Sequence, residues 1–390
     1  MNLISFLSSV NAPKSLWVTL INWIHESVGS LGWTIILVTI LIKLVTTPLD
    51  FWVKFNTKKQ TLIQQKCSPQ VAKLQKKFGN DRQTLQVQSQ ALYKREGLDM
   101  RSGCIVMLIN TILSFVIFIT FYNDLQKVSA YEAIHQYEQI ETTYYQEFTG
   151  YSDIDEFETK ADVVNWFTTY NNMEDGAAKI AEYNRVKPAI ERANASASIY
   201  WENNKSRSSW LWVQNIWVAD STAKAFPSYK GLVSIAKSTG YTSYVKDNIV
   251  EADYDRIATV ISDNAPRQNN GYFILPVLAG VVTFLSQYIT ELHTRLKNKK
   301  ANQVAKEANS STNSTLKVMK IVMPAIMVIF TLSASASFGL YILASNISTM
   351  ALGEITTVII NAMTKKKRLE VEAELEKEAN RLIKKGKFKE

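Results

Sequence analysis

The chain of 390 residues is long enough for several domains, is 46% hydrophobic and carries a formal net charge of +9. Its two cysteines are too few for a disulfide framework. The apolar residues are gathered in blocks of about twenty, the length that about 30 Å of hydrocarbon requires of a helix rising about 1.5 Å per residue, and this distribution excludes an ordinary soluble chain.

Residues 1–10 are too short to span a bilayer and lack the basic start and small-residue cleavage site of a signal peptide. Residues 15–28 carry Leu16, Trp17, Leu20, Ile21, Trp23 and Ile24 on a broad apolar face, which predicts an amphipathic helix in the outer interface, within an N-terminal segment 1–31. A first span is predicted at 32–51. The basic stretch 52–103 reads as a helical hairpin in which Gly79 ends the first arm and Asn80 or Asp81 caps the second. Val71, Leu74 and Phe78 recur at helical spacing opposite Leu85, Ala91 and Leu92, giving each arm one sticky face.

A second span is predicted at 104–122. Residues 123–271 are too long and too rich in Tyr, Trp, Phe and Ile for a loop, and read as a folded, mainly α-helical outer domain. A third span at 272–292 is followed by a polar linker at 293–317. The fourth and fifth spans, 318–336 and 338–364, nearly touch. One helix of that combined length would greatly exceed the bilayer, so a tight turn is predicted around Ser335 and Ser337. The tail 365–390 opens on Lys365, Lys366, Lys367 and Arg368 and ends basic again.

Charge orients the spans. The regions 52–103, 291–320 and 362–390 together carry +17, whereas 123–271 carries 14 basic and 21 acidic residues, or −7. Basic loops are retained on the cytoplasmic side, so the reading is an N-terminus outside, a C-terminus inside and a multi-pass protein of the cell membrane. Cys67 and Cys104 then both fall on the reducing side.

Lys43 lies inside the first predicted span, with Thr39, Thr46, Thr47 and Asp50 at spacings that share one helix face. A charge at that depth costs several kcal/mol (about 2.5–3.5 on insertion scales) unless it meets water or a partner, so it points to a cavity or functional path. The alternative is a lysine stem that runs through lipid to deliver its ammonium to the headgroups. Asn110 and Ser114 in the second span, Thr283, Ser286 and Gln287 in the third, and Ser345 and Asn346 in the fifth extend a possible hydrophilic interior. Each alone also reads as hydrogen-bonding glue between helices, and Glu354 reads as a headgroup-level acid or a buried partner of Lys43.

Several segments resemble the YidC-type membrane protein insertases, in the manner of a Gram-positive or mollicute-like member. "YFILPVLAGVVTFLSQ" at 272–287, with Pro276 and Gly280, resembles the start and middle of one span of that family; "MKIVMP" at 319–324 and "GLYILASN" at 339–346 resemble the next two. "IILVTILIKLVTTPLDF" at 35–51 resembles the first core span, "LYKREGLDMRSGCIVMLIN" at 92–110 the entry to the second, and "WLWVQNIWVADS" at 210–221 the segment before the third. The resemblance covers about 15–122 and 205–365, with no counterpart placed for most of 123–204. It implies an all-α integral membrane protein whose five transmembrane helices form a hydrophilic groove open to the cytoplasm and lipid. Lys43 matches a basic position that is usually arginine, and Asn110 a position that is commonly glutamine.

The function so implied is insertion and folding of nascent membrane proteins, without bond chemistry. The groove is expected to use Lys43, Thr39, Thr46, Thr47, Asn110, Ser114, Gln287, Ser345 and Asn346. No catalytic residue, metal or cofactor is expected. The implied partners are nascent membrane proteins, the lipid bilayer, the ribosome through the basic tail and the Sec translocon, with no specific DNA. Two other classes compete. An intramembrane enzyme would need a motif that is missing: there is no His-Glu-x-x-His, and His25, His135 and His293 lie outside the spans. A membrane-anchored extracellular interaction or scaffold protein would not need a charge buried in a span.

Overall fold

Helix signals dominate the chain, and in the computed structural model every regular element among the described residues is a helix. The structure describes residues 12–79, 81–98, 100–151, 153, 156–222, 224, 226–264, 269–298 and 310–384. The expectations for residues 1–10, for Asn80 as a cap, for 299–309 of the linker and for the basic end of the tail lie outside them. So does the side chain of Cys104.

Helix α1 (Leu16–Val28) begins where the Ser15 hydroxyl accepts from the Val18 N–H and ends at Gly29, whose φ of 74° suits a residue without a Cβ. It buries Val18, Ile21 and Ile24 but leaves Leu16 and Trp23, of the same apolar face, largely exposed. Helix α2 (Leu31–Phe78) then runs for 48 residues, about 72 Å at 1.5 Å per residue. The boundary at 51 and 52 is therefore a change of surroundings within one helix; composition turns polar there while the backbone ladder continues.

Asp81 caps α3 (Arg82–Arg95), its Oδ1 accepting from the N–H groups of Gln83 and Thr84 at 3.1 and 3.0 Å. Lys66 of α2 reaches Glu96 beyond the end of α3 at 3.0 Å, which closes the hairpin at its open end. Helix α4 (Met100–Thr149) is likewise unbroken for 50 residues and carries the second apolar block directly into residues 123–149. Helices α5 (Lys160–Asn172), α6 (Ala177–Asn204), α7 (Tyr229–Lys237), α8 (Thr242–Asn248) and α9 (Glu251–Asn264) follow. The chain closes with α10 (Ile274–Asn298), α11 (Ser310–Ser333), α12 (Ala336–Met363) and α13 (Lys365–Lys384). The predicted tight turn falls between α11 and α12.

Three helices, α2, α4 and α12, are long and apolar enough to cross a membrane, and α10 and α11 contribute shorter apolar stretches, Ile274–Ile289 and Ile321–Ser333.

The chain divides into two units. The first comprises Met1–Thr39, Ile119–Ala279 and Met327–Leu343. Its core is built on the second half of α4, which buries Leu125, Ile134, Tyr137, Ile140, Tyr144 and Phe148. Helix α6 presents the buried row Val186, Ala189, Ala193 and Ala197, small enough for it to pack closely on α9, and in its last turn places Trp201 against Trp217 and Phe226. A loop of 208–222 stitches this unit together. Asn270 accepts from the Asn215 N–H at 2.8 Å and donates to the carbonyls of Asn215 and Ala219, while the carbonyls of Ile216 and Val218 accept from the N–H groups of Ser337 and Ala336. Gly271 is required there, because a Cβ would fall 1.7 Å from Asp220 Oδ1.

The second unit comprises Ile40–Phe118, Gly280–Ile326 and Ala344–Glu390. It contains the hairpin of α2 and α3, with Leu62, Cys67 and Leu98 buried at its base, and α13, whose Val371 is also buried. Cys67 is a free thiol.

Candidate functional site

The polar residues of the second unit sit on helices that are otherwise apolar, and they pair across helices. Lys43 is half-buried on α2. Asp50 stands two turns further along the same helix, at a spacing that places it on the Lys43 side. Asp50 accepts from Asn110 Nδ2 of α4 at 3.0 Å. Four residues beyond Asp50, Lys54 points its Nζ toward the Gly353 carbonyl at 3.5 Å and the Thr356 hydroxyl at 3.4 Å on α12. Gly353 leaves room for that ammonium, since a Cβ there would lie 3.0 Å from Nζ. Asn346 of α12 donates to the Thr283 hydroxyl of α10 at 2.9 Å. Side-chain bonds therefore link α4 to α2, α2 to α12 and α12 to α10, where each polar group left unpaired in hydrocarbon would cost several kcal/mol, of order 2–7.

Other predicted groove residues behave differently. The Thr46 and Thr47 hydroxyls both donate to the Lys43 carbonyl, at 3.2 and 2.6 Å, so their hydrogens are spent on their own helix. Thr39, in the first unit, does the same toward Ile35 at 2.6 Å and is fully buried. Ser114 lies on an exposed side of α4; Gln287 and Ser345 are half-buried and make no hydrogen bond among the described residues. Asp50 and Thr283, which the sequence placed on the Lys43 face and in the hydrophilic interior, belong to the network, and so do Lys54 and Thr356, which sequence reasoning missed. Lys54 had a signal: at eleven residues from Lys43 it falls on the same helical face. Among the described residues no group of His, Cys, Asp and Glu is arranged to hold a metal ion.

The family model of the 60Kd inner membrane protein matches residues 23–187 and 197–367, which is most of the chain. The chain belongs to that family. The match extends the similarity through residues 123–187, beyond the segments that carried the resemblance in the sequence.

Curated relatives carry the name membrane protein insertase YidC. That of Wolinella succinogenes is 29% identical over 107 residues, 27% of this chain and 19% of the relative. That of Aromatoleum aromaticum is 34% identical over 104 residues, 27% and 18% of the two chains, and that of Helicobacter pylori 30% over 111 residues, 28% and 20%. The chain thus aligns with about a fifth of the length of these relatives. No solved structure matches it. Family membership and the apolar helices together make this a multi-pass membrane protein.

Proposed function

We propose that this YidC-family chain inserts nascent membrane proteins into the cell membrane and helps them fold. The observation that carries the reading is the Asp50–Asn110 hydrogen bond between two apolar helices, with Lys43 two turns away on the same side of α2. In this reading five spans, 32–51, 104–122, 272–292, 318–336 and 338–364, enclose a hydrophilic groove open to the cytoplasm and to lipid. The N-terminus and an outer domain at 123–271 lie outside; the hairpin, the linker and the tail lie in the cytoplasm. The polar end of a client enters the groove, where Lys43, Asn110, Asn346 and their neighbours supply water-like partners at membrane depth, and its apolar segment slides into lipid. No bond is made or broken. The tail, through Lys365, Lys366, Lys367 and Arg368, binds ribosomal RNA by neutralising phosphates, and the Sec translocon is a further partner.

The test compares two single-span clients that differ only in the charge of the translocated end, inserted into liposomes by the wild type, Lys43→Ala and Lys43→Arg. Lys43→Arg retains insertion because both side chains hold a positive charge in a wet groove. Lys43→Ala loses most insertion of the acidic-ended client and less of the basic-ended one. Equal insertion of both clients by wild type and Lys43→Ala overturns the electrostatic groove and returns Lys43 to a snorkelling role. Orientation is tested separately by impermeant thiol labelling of intact cells, in a cysteine-free background, at Asp175→Cys and at Gln86→Cys. Only the first is labelled if 123–271 lies outside.

A further inference from the structure

The two arms of the hairpin, α2 and α3, leave a groove between them with a cavity of about 400 Å³. Its lining includes Lys73, Leu74 and Lys77 from one face of α2 and Ala91, Leu92 and Arg95 from one face of α3, with a glutamine from each arm, Gln70 and Gln88. Residues four apart stand on one side of a helix, so the floor is apolar (Leu74, Ala91, Leu92) and the rim is basic (Lys73, Lys77, Arg95). No acidic residue lines it.

Helix α13 of the same unit shows what this rim accepts. Its Glu378 pairs with Lys73 at 2.6 Å, and its Glu374 lies 3.8 Å from Lys66 one stretch further down α2. Both are carboxylates carried four residues apart on a helix. Glu378 satisfies Lys73 and Glu374 lies against Lys66 outside the groove, whereas among the described residues no carboxylate lies within 4 Å of Lys77 or Arg95 on the rest of the rim.

We propose that this groove is a docking site for an acidic amphipathic helix of a partner protein. The partner helix lays its apolar residues on Leu74, Ala91 and Leu92 and its carboxylates against Lys77 and Arg95, completing a three-helix packing beside α13. A groove between two helices has the shape that a third helix fills, with side-chain ridges entering the gap. Charge favours a protein helix over nucleic acid only in combination with the floor: phosphates gain nothing from Leu74 and Leu92, and no aromatic side chain lines the groove on which an unpaired base could stack. This site is distinct from the polar network at Lys43 and does not depend on whether the chain inserts clients.

The experiment uses the full chain in nanodiscs and a labelled synthetic peptide of about three heptads, with Leu at the two core positions of each and Glu, Gln and Ala elsewhere. Binding is followed by fluorescence anisotropy. The glutamate peptide binds the wild type and weakens as salt rises from about 50 to about 300 mM. Lys77→Glu with Arg95→Glu weakens it by about tenfold or more, whereas Lys77→Arg with Arg95→Lys retains it. Lys77 and Arg95 are both exposed, so neither pair of substitutions disturbs a core. Leu92→Asn also weakens binding, which separates docking on the floor from bulk attraction to a basic surface. Equal affinity for a peptide with Lys in place of Glu overturns the proposal, as does unchanged binding by the charge-reversed variant. Binding of a short single-stranded RNA that competes at Lys77 and Arg95, with no binding of the peptide, assigns the groove to nucleic acid instead and equally overturns it.

Discussion

The two halves of α4 share one continuous helix and nothing else. From Ile105 to Ile119 nearly every apolar side chain is exposed: Met107, Leu108, Ile112 and Phe115 are between 56% and 63% accessible. From Phe121 to Phe148 the apolar side chains are buried, and so are Glu132, Gln136, Glu138 and Glu141. An apolar surface on several sides of a helix belongs in lipid, which is as apolar as leucine; acids beneath the surface belong in a folded protein core that gives them partners. Hydropathy and burial mark where the surroundings change, while the helix runs on unbroken from Met100 to Thr149.

That contrast predicts very different costs for the same substitution. Phe148 is enclosed by Phe157, Tyr144 and Phe167, with ring centroids 5.3, 6.1 and 5.9 Å away. Phe148→Ala leaves a cavity and destabilises the first unit by about 3–5 kcal/mol. Phe115→Ala, on the exposed half, changes stability by about 0.5 kcal/mol or less, because its ring trades one apolar neighbour for another. Denaturant titration of each variant in the same micelle, followed by tryptophan fluorescence, measures both. Similar losses for the two would mean that the exposed half is packed against protein in its functional state.

The sequence shows this division only in part. The helical character of the chain, three of its apolar blocks as helices long enough to cross a membrane, the cap at Asp81 and the turn near Ser335 were legible, because periodicity, capping residues and length act locally. The continuity of α2 past residue 51 and of α4 past residue 122 was not, since a change from apolar to polar composition looks the same whether or not the backbone ladder breaks. Cross-helix partners were illegible for another reason. Asp50 with Asn110, and Asn346 with Thr283, depend on the register between helices far apart in the chain. The threonines beside Lys43 read as groove hydroxyls, yet a β-branched hydroxyl in a helix has its own carbonyl within reach, and Thr46 and Thr47 take it.

A second way to sharpen the comparison is to remove polar geometry from the buried side. Asn270 is fully buried and serves four backbone groups of the 215–219 loop, the Asn215 N–H and the carbonyls of Asn215, Val218 and Ala219. Asn270→Ala leaves those groups without their partner and costs about 2–3 kcal/mol. Asn270→Asp keeps the acceptor but loses both donors, and it recovers little. Limited proteolysis detects the change as faster cleavage around Trp210 to Asp220. Unchanged cleavage would show that water replaces the amide there at no cost.

The smallest effect concerns the acids buried by the second half of α4, and its sign decides whether they are stabilising or tolerated. Burial raises the Glu141 carboxyl above its ordinary value, opposed by Lys160, which pairs with it at 3.0 Å, and by the Tyr137 hydroxyl, and reinforced by Asp253 of α9. Burial raises Glu138 as well, against the hydrogen bond from Tyr244. A carboxyl whose folded value lies above its unfolded value binds more protons in the native state. Its contribution is therefore fully present below about 4.5, the ordinary value, and is lost as pH rises through the folded value. Groups lowered by ion pairs act in another window: Glu182, held at about 2 by Arg185 and Trp166, keeps its stabilisation throughout the range above 4.5. His25, lowered by burial, runs opposite to Glu141, but it is common to both proteins in a comparison of wild type with Glu141→Gln. The amide of that variant still accepts from Lys160 and Tyr137 and carries no charge to desolvate. Glu141→Gln should accordingly unfold at a higher temperature than wild type near neutral pH, and the gap should close as pH falls toward 4.5. A gap that instead widens on acidification, or a variant less stable at neutral pH, would show that the Lys160 pair outweighs the burial of the charge, and that the acids of this half of α4 are held there by attraction.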